Sequence, residues 1–257
     1  FAHSAALAVA ESPGESYNPL FLYGAPGLGK THLLVSIANY LRRQRPDLPV
    51  VYTTAERFTS EFIDSVRPGG GGGAGRFKER YREAGALLID DVQFIEGKER
   101  TEEEFFHTFN ELLSAGSQIV LSSDRPPEAM GELTERMRDR FAWGLTVELQ
   151  GPDLGTRVAL LKRLATEHAI PLPDPDVLRQ IALAAPENLR RLEGALTRVT
   201  AFASLVGEAP TPELVRRALG NNRSQADPAP RRPAESPDDR LERIKRAVCD
   251  VLHLAPA

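Results

Sequence analysis

The stretch Gly24-Ala25-Pro26-Gly27-Leu28-Gly29-Lys30-Thr31 constrains this chain more than any other part of it. It fills every fixed position of the phosphate-loop pattern G-x-x-x-x-G-K-[ST]. Its flanks suit that reading. Pro19-Leu20-Phe21-Leu22-Tyr23 is a short apolar run that reads as a buried strand, and residues 32–41 carry apolar side chains at helical spacing. Strand, glycine loop and helix form the arrangement that phosphate binding needs. The glycines let backbone N–H groups turn toward phosphate oxygens, and the helix N-terminus adds partial positive charge. Lys30 then reaches the β- and γ-phosphates, and Thr31 holds Mg²⁺. Gly24, Gly27, Leu28, Gly29 and His32 complete the expected contacts. A chance glycine turn is the alternative, and the matching flanks argue against it. The expected ligand is a nucleoside triphosphate.

The bulk properties narrow the setting. At 257 residues the chain can bury a sizeable core and build one or two domains. A net charge of −4 gives no global basic field for nucleic acid, which leaves only local basic clusters for that purpose. The single cysteine, Cys249, excludes an internal disulfide framework and suits a reducing cytoplasm. No apolar run approaches the length of a membrane span. Residues 5–10 are apolar but short and lack a basic lead, so they do not read as a secretory signal. The chain begins at Phe1 and ends at Ala257, which suggests an excised fragment.

Strand-like runs at 20–23, 50–54, 86–90, 118–122 and 145–149 alternate with helical patterns. That alternation predicts a parallel sheet covered on both faces. From 151 to 220 the pattern is helical only, with amphipathic stripes at 154–168, 176–184, 187–206 and 211–219. The expected organisation is an α/β domain over 1–150, a helical domain over 151–220 and a Pro/Arg/Ala/Ser-rich linker over 221–239. One last amphipathic helix follows over 240–257, bearing Leu241, Ile244, Val248, Val251 and Leu252. The tract 69–73 is five consecutive glycines, which hold neither helix nor strand. It reads as a flexible excursion between helices at 57–66 and 76–84.

Leu87-Leu88-Ile89-Asp90-Asp91 is an apolar strand ending in two acids. A carboxylate at that end faces the metal on Thr31, and a second orients water. Asp90 is assigned to Mg²⁺ by way of water, and Asp91 to the attacking water. Glu56, just past the second strand, is another candidate for that water, although an early-helix acid is the commoner reading. The fourth strand ends in Ser122-Ser123-Asp124-Arg125-Pro126. Asp124 or Ser123 is placed to sense the γ-phosphate, and a turn cap is the alternative for Ser123.

Together these features resemble a family. The phosphate loop, Ile89-Asp90-Asp91-Val92-Gln93-Phe94 and the Ser-Ser-Asp-Arg strand end occur in order. Glu135-Arg136-Met137-Arg138-Asp139-Arg140-Phe141-Ala142-Trp143-Gly144-Leu145 and Asn188-Leu189-Arg190-Arg191-Leu192-Glu193-Gly194-Ala195-Leu196 follow. This series is similar to the DnaA family of bacterial replication initiators, which are AAA+ P-loop ATPases. The likeness runs from Phe1 to about Leu219 and continues weakly from Leu241. It implies ATP or ADP with Mg²⁺ held between an α/β domain and a helical lid, with slow hydrolysis. It places Arg140 as an arginine finger on a neighbouring subunit's γ-phosphate, with Arg136 as its companion. Arg190 becomes a lid sensor in cis. Surface ion pairing is the plain alternative for Arg140 and Arg190.

The resemblance also implies an initiator-specific helical insert at about 56–85 and stacking of ATP-bound subunits into a filament on origin DNA. Ile63, Lys98 and Arg100 match residues that face one opened DNA strand; for Lys98 and Arg100 a solvated basic turn within 96–104 is the alternative. Residues 240–257 match a truncated first helix of the domain that reads duplex origin boxes. The family's N-terminal adenine-contacting strand precedes Phe1, and the glycine tract lengthens the insert loop. The replicative helicase and regulators are implied as partners of the intact protein, with acidic phospholipids a further candidate. The implied location is cytoplasmic and nucleoid-associated.

Three other classes share parts of this pattern. An AAA+ helicase loader shares the nucleotide motifs and the insert, but the Phe141-Ala142-Trp143-Gly144-Leu145 string and the downstream linker and helix favour the initiator. A regulatory partner lacks the insert, and a metabolic kinase needs an acceptor site that the sequence does not offer. The phosphate-loop assignment has a direct test. Lys30→Ala should abolish nucleotide binding in equilibrium titration, and unchanged ATP affinity in that variant would refute it.

Overall fold

A computed structural model describes residues 1–67, 73–168, 170, 175–185 and 188–220. The linker at 221–239, the final amphipathic helix, Cys249 and glycines 69–72 lie outside the described residues. Five parallel strands form one sheet: β1 (Leu20–Tyr23), β2 (Val50–Thr54), β3 (Ala86–Asp90), β4 (Gln118–Ser123) and β5 (Leu145–Glu148), in the order β2-β3-β4-β1-β5. The helices of this part are α1 (Ala2–Glu11), α2 (Lys30–Gln44), α3 (Ala55–Val66), α4 (Gly73–Arg82), α5 (Glu99–Ser114) and α6 (Glu135–Ala142). After β5 come α7 (Leu154–Glu167), α8 (Pro175–Ala184), α9 (Leu189–Val206) and α10 (Pro212–Gly220). The fold is an α/β P-loop NTPase sheet followed by helices.

Alternation along the strands builds the two faces. Leu20 and Leu22 of β1, Ala86 and Leu88 of β3, and Val120 of β4 share one core with α1 and α2. The intervening Phe21, Leu87, Ile89, Ile119 and Leu121 share the other core with α3 to α6. Side chains of a strand alternate faces, so apolar residues at every position require cover on both sides. α1 supplies part of that cover through Ala5, Ala6, Val9 and Ala10. The sequence does not announce this helix, because an alanine-rich segment carries little amphipathic contrast.

Several boundaries differ from expectation by one to three residues, among them the start of α3 at Ala55, the end of α4 at Arg82 and the start of α9 at Leu189. β4 continues to Ser123, where it pairs with Tyr23, and β5 stops at Glu148. Gly73, the last glycine of the tract, opens α4 instead of belonging to a loop. A first-turn residue donates no intrahelical N–H bond, so glycine's weakness costs least there.

The pair α3–α4 is fixed to α5 by aromatic rings. Phe58 is fully buried and lies edge-on to Phe77 (5.2 Å), Tyr81 (4.9 Å) and Phe105 (5.3 Å). The Tyr81 hydroxyl donates to Glu61 at 2.7 Å, and burial with that carboxylate pushes its pKa up to about 12. Arg82 bridges Glu104 (2.7 Å) and Glu111 (2.8 Å) on α5. The helices after β5 have their own core, with Leu161, Val177, Ile181, Leu192, Val199 and Leu214 at its centre. Among the described residues no helix is long and apolar enough to cross a membrane. Phe58→Ala should lower stability by about 3–5 kcal/mol, measured by urea unfolding. A loss near zero would mean that the ring cluster does not hold the helix pair.

Candidate nucleotide site

The loop after β1 owes its shape to glycine. Gly24 has φ 153°, and a Cβ there would come within 2.6 Å of the Leu149 carbonyl oxygen. Gly27 and Gly29 have φ 83° and 91°, in the left-handed region that side chains avoid. Gly29 is the N-cap of α2, so Lys30 and Thr31 open the helix, with the exposed His32 behind them. Successive free amides at a helix start, framed by glycines, fit a polyphosphate anion.

Lys30 is the focus of the site. It is 7% exposed, and its ammonium donates to the carbonyls of Gly24 (2.7 Å) and Ala25 (3.2 Å). Burial lowers its pKa; Asp91, Asp124 and Asp90 oppose that shift, and Arg190 adds to it. The fold therefore gathers three carboxylates and one guanidinium from distant stretches of chain around one lysine.

The two acids at the end of β3 differ in setting. Asp90 is 3% exposed and accepts a short hydrogen bond from the Ser122 hydroxyl and one from the Tyr52 hydroxyl at 3.3 Å. Burial, then the neighbouring Asp90 charge, pushes the Tyr52 pKa up to about 12. Asp91 is half-buried at φ 57°, a conformation that aspartate tolerates better than most residues. Its N–H donates to Ser122 Oγ at 2.9 Å, and its carboxylate accepts from the Gln93 amide at 3.1 Å. The oxygen of that amide accepts from the Asp124 N–H at 3.3 Å. Gln93 thereby ties the acid pair to the end of β4. The buried Ser123 accepts from the Arg125 N–H at 3.3 Å, a turn-capping contact.

Asn188 joins the later helices to the loop. Its Oδ1 caps α9 by accepting from the N–H groups of Arg190 (2.8 Å) and Arg191 (3.3 Å). Its Nδ2 donates to the Pro26 carbonyl at 2.8 Å, and the Leu189 N–H donates to the Gly27 carbonyl at 3.0 Å. A Cβ on Gly27 would collide with the Asn188 side chain.

The other expected residues lie elsewhere. Glu56 is exposed in the first turn of α3. Arg136 and Arg140 are on α6, the first over the ring of Phe106 at 4.7 Å and the second over that of Trp143 at 5.4 Å. Ile63 is 44% exposed on α3. Lys98 is the N-cap of α5, and Arg100 is in that helix's first turn. Arg100 also lines a groove of ≈ 310 Å³ with Phe62 and Val66 of α3. Tyr52, Ser122, Gln93 and Asn188 join the site only through the fold. Only Asn188 carries a usable sequence signal, an N-cap residue directly before an apolar-periodic run.

Comparison with known proteins places this geometry. The family described as the bacterial DnaA ATPase domain matches residues 1–148. The crystal structure of domain III of the Thermotoga maritima replication initiation protein DnaA is 42% identical, with a TM-score of 0.78 over 86% of this chain and 90% of that one. AMPPCP-bound DnaA from Aquifex aeolicus is 32% identical, with a TM-score of 0.72 over 86% of this chain and 65% of that one. A replication initiator DnaA bound to AMPPCP and single-stranded DNA is 30% identical, with a TM-score of 0.70 over 98% of this chain and 70% of that one. This chain, with its P-loop ATPase site, belongs to the bacterial DnaA family.

Proposed function

We propose that this chain is the ATP-controlled assembly core of a bacterial replication initiator. It binds ATP–Mg²⁺, associates with further copies of itself, engages a single strand of origin DNA and hydrolyses ATP slowly. The observation that carries the reading is the division of its arginines. Arg190 is among the charges acting on Lys30, whereas Arg136 and Arg140 are not; they stand on α6 with no carboxylate partner among the described residues. Arg190 follows Leu189, whose N–H bonds the Gly27 carbonyl of the phosphate loop, and so serves the chain's own site, whereas Arg136 and Arg140 on α6 are the arginines assigned to a neighbour's.

Each residue has a role that its chemistry suits. The loop amides and the Lys30 ammonium bind phosphate oxygens. Thr31 through its hydroxyl and Asp90 through water would hold Mg²⁺, which would neutralise charge on the phosphate oxygens. Bound ATP–Mg²⁺ supplies the phosphoanhydride that is cleaved. Asp91 orients water and takes its proton, with Glu56 as the second candidate. Asp124 and Arg190 read the nucleotide in cis, and Arg140 of one copy, assisted by Arg136, reads it in the next. Nucleotide state then sets assembly through a coupling between sites. Lys98 and Arg100 supply phosphate contacts to DNA and Ile63 an apolar surface. The relative bound to AMPPCP and single-stranded DNA supports this assignment.

Sedimentation of the chain with ATP–Mg²⁺ or ADP–Mg²⁺, with and without labelled single-stranded DNA, tests the reading. Larger species that capture DNA only with ATP are expected. A monomer that binds ATP yet ignores DNA in both states would overturn it. Arg140→Ala should retain ATP binding and lose ATP-dependent assembly, and assembly that survives would remove the finger role.

A further inference from the structure

Four arginines of the described residues lie over aromatic rings, and two of them, Arg80 and Arg217, also meet a carboxylate; Arg136 and Arg140 are the two that are stacked without one. Arg57, Arg82, Arg125, Arg163 and Arg217 each meet a carboxylate within 4 Å. Arg140 lies instead over the indole of Trp143, and Arg136 over the ring of Phe106. Neither forms an ion pair among the described residues, although Glu135 and Asp139 share their helix.

The difference decides what each guanidinium has left to offer. The group is planar, with five N–H donors directed outward in its plane. A carboxylate takes two of them in a bidentate pair. An aromatic face takes none, because it attracts the cation through its flat side. An arginine that is stacked and not ion-paired, as Arg136 and Arg140 are, is therefore both held and unspent. Its side-chain rotamers are restricted before a partner arrives, which reduces the ordering cost of docking.

The platform under Arg140 is itself fixed. Phe141 is fully buried beside Phe21 at 5.5 Å and Phe105 at 6.0 Å. At the other end of α6, the buried Glu102 accepts from the Thr134 N–H at 2.7 Å and from its hydroxyl. Beyond Trp143, Gly144 lies against the backbone of Pro19, where any Cβ would collide, and the Leu145 N–H donates to the Pro19 carbonyl at 3.0 Å. Trp143 therefore sits between two anchored points, yet it is 69% exposed. An indole so open to water gains little from burial, and the stack on Arg140 gives it a role.

We propose that Trp143 is a positioning residue for Arg140: its indole face holds the guanidinium at the protein surface with the N–H edge free for the phosphate oxygens of a nucleotide on a second copy of this chain. Phe106 does the same for Arg136. The inference rests on the reading of Arg140 as a trans-acting phosphate reader.

Trp143 is the only tryptophan in the chain, so it reports on its own stack. The test compares the wild type, Trp143→Ala, Trp143→Phe and Arg140→Ala by sedimentation velocity with ATP–Mg²⁺ over a range of protein concentrations. Trp143→Ala should raise the concentration for half-assembly about two- to five-fold. Trp143→Phe, which keeps an aromatic face, should recover most of that loss. Wild-type assembly in Trp143→Ala, or a loss in Trp143→Phe as large as in Trp143→Ala, overturns the proposal while Arg140→Ala remains assembly-defective. Assembly in Arg140→Ala overturns the underlying reading instead. Tryptophan emission gives a second measurement in an intact fold. In dilute ADP–Mg²⁺, Arg140→Gln should differ from the wild type in emission and acrylamide quenching. Identical spectra would mean that the stack is absent in solution, and the proposal falls.

Discussion

A carboxylate buried at the end of a central strand is the constraint that orders this structure. Asp90 is 3% exposed, and a charge in that position is costly unless neighbours hydrogen-bond to it. Its donors come from the strands on either side, Tyr52 of β2 and Ser122 of β4. They arrive only because the three strands run parallel in one register, with Thr54 opposite Asp90 and Leu121 opposite Ile89. A slip by one residue would turn Asp90 to the other face of the sheet. The same order places β4 between β3 and β1, so the end of β4 lies between the acid pair and the phosphate loop. Asp124 and Gln93 fill that crevice. The fold thus spends its central register on assembling one charged cluster.

What the sequence made legible was whatever is local. Each strand was recognisable from its own apolar run, and the phosphate loop from glycines whose φ angles no other residue adopts easily. The acid pair at the end of β3 was visible for the same reason. The partners of those acids were not. Nothing in Val50-Val51-Tyr52 announces that its hydroxyl will meet a carboxylate 38 residues on. Gln93 and Ser122 owe their roles to register, which one strand cannot reveal. α1 escaped notice because alanines, rather than a stripe of large side chains, fill its interface. Gly73 misled in the other direction: its composition argued for a loop, and the need to start α4 prevailed.

The arginines show how one side chain serves opposite ends. Arg82 is 16% exposed and sits between Glu104 and Glu111, joining α4 to α5. With both forks of its guanidinium engaged, it has little left for another ligand. Arg136 and Arg140 rest on aromatic rings, with their donors unspent. A charge-pattern reading would rank all three alike, because the difference comes from what each meets: carboxylates of α5 for Arg82, a ring of α5 for Arg136 and the C-cap tryptophan of its own helix for Arg140.

Asn188 has a consequence for populations. Its amide and the neighbouring Leu189 N–H make two hydrogen bonds from the start of α9 to the carbonyls of Pro26 and Gly27. At about 1 kcal/mol net for each bond, the pair sets a scale of roughly a few per cent for molecules in which helix and loop have parted. The helices after β5 and the phosphate loop therefore share one conformational equilibrium. Whatever stiffens the loop narrows the swing of the helices, and whatever pulls on the helices is felt at Gly27.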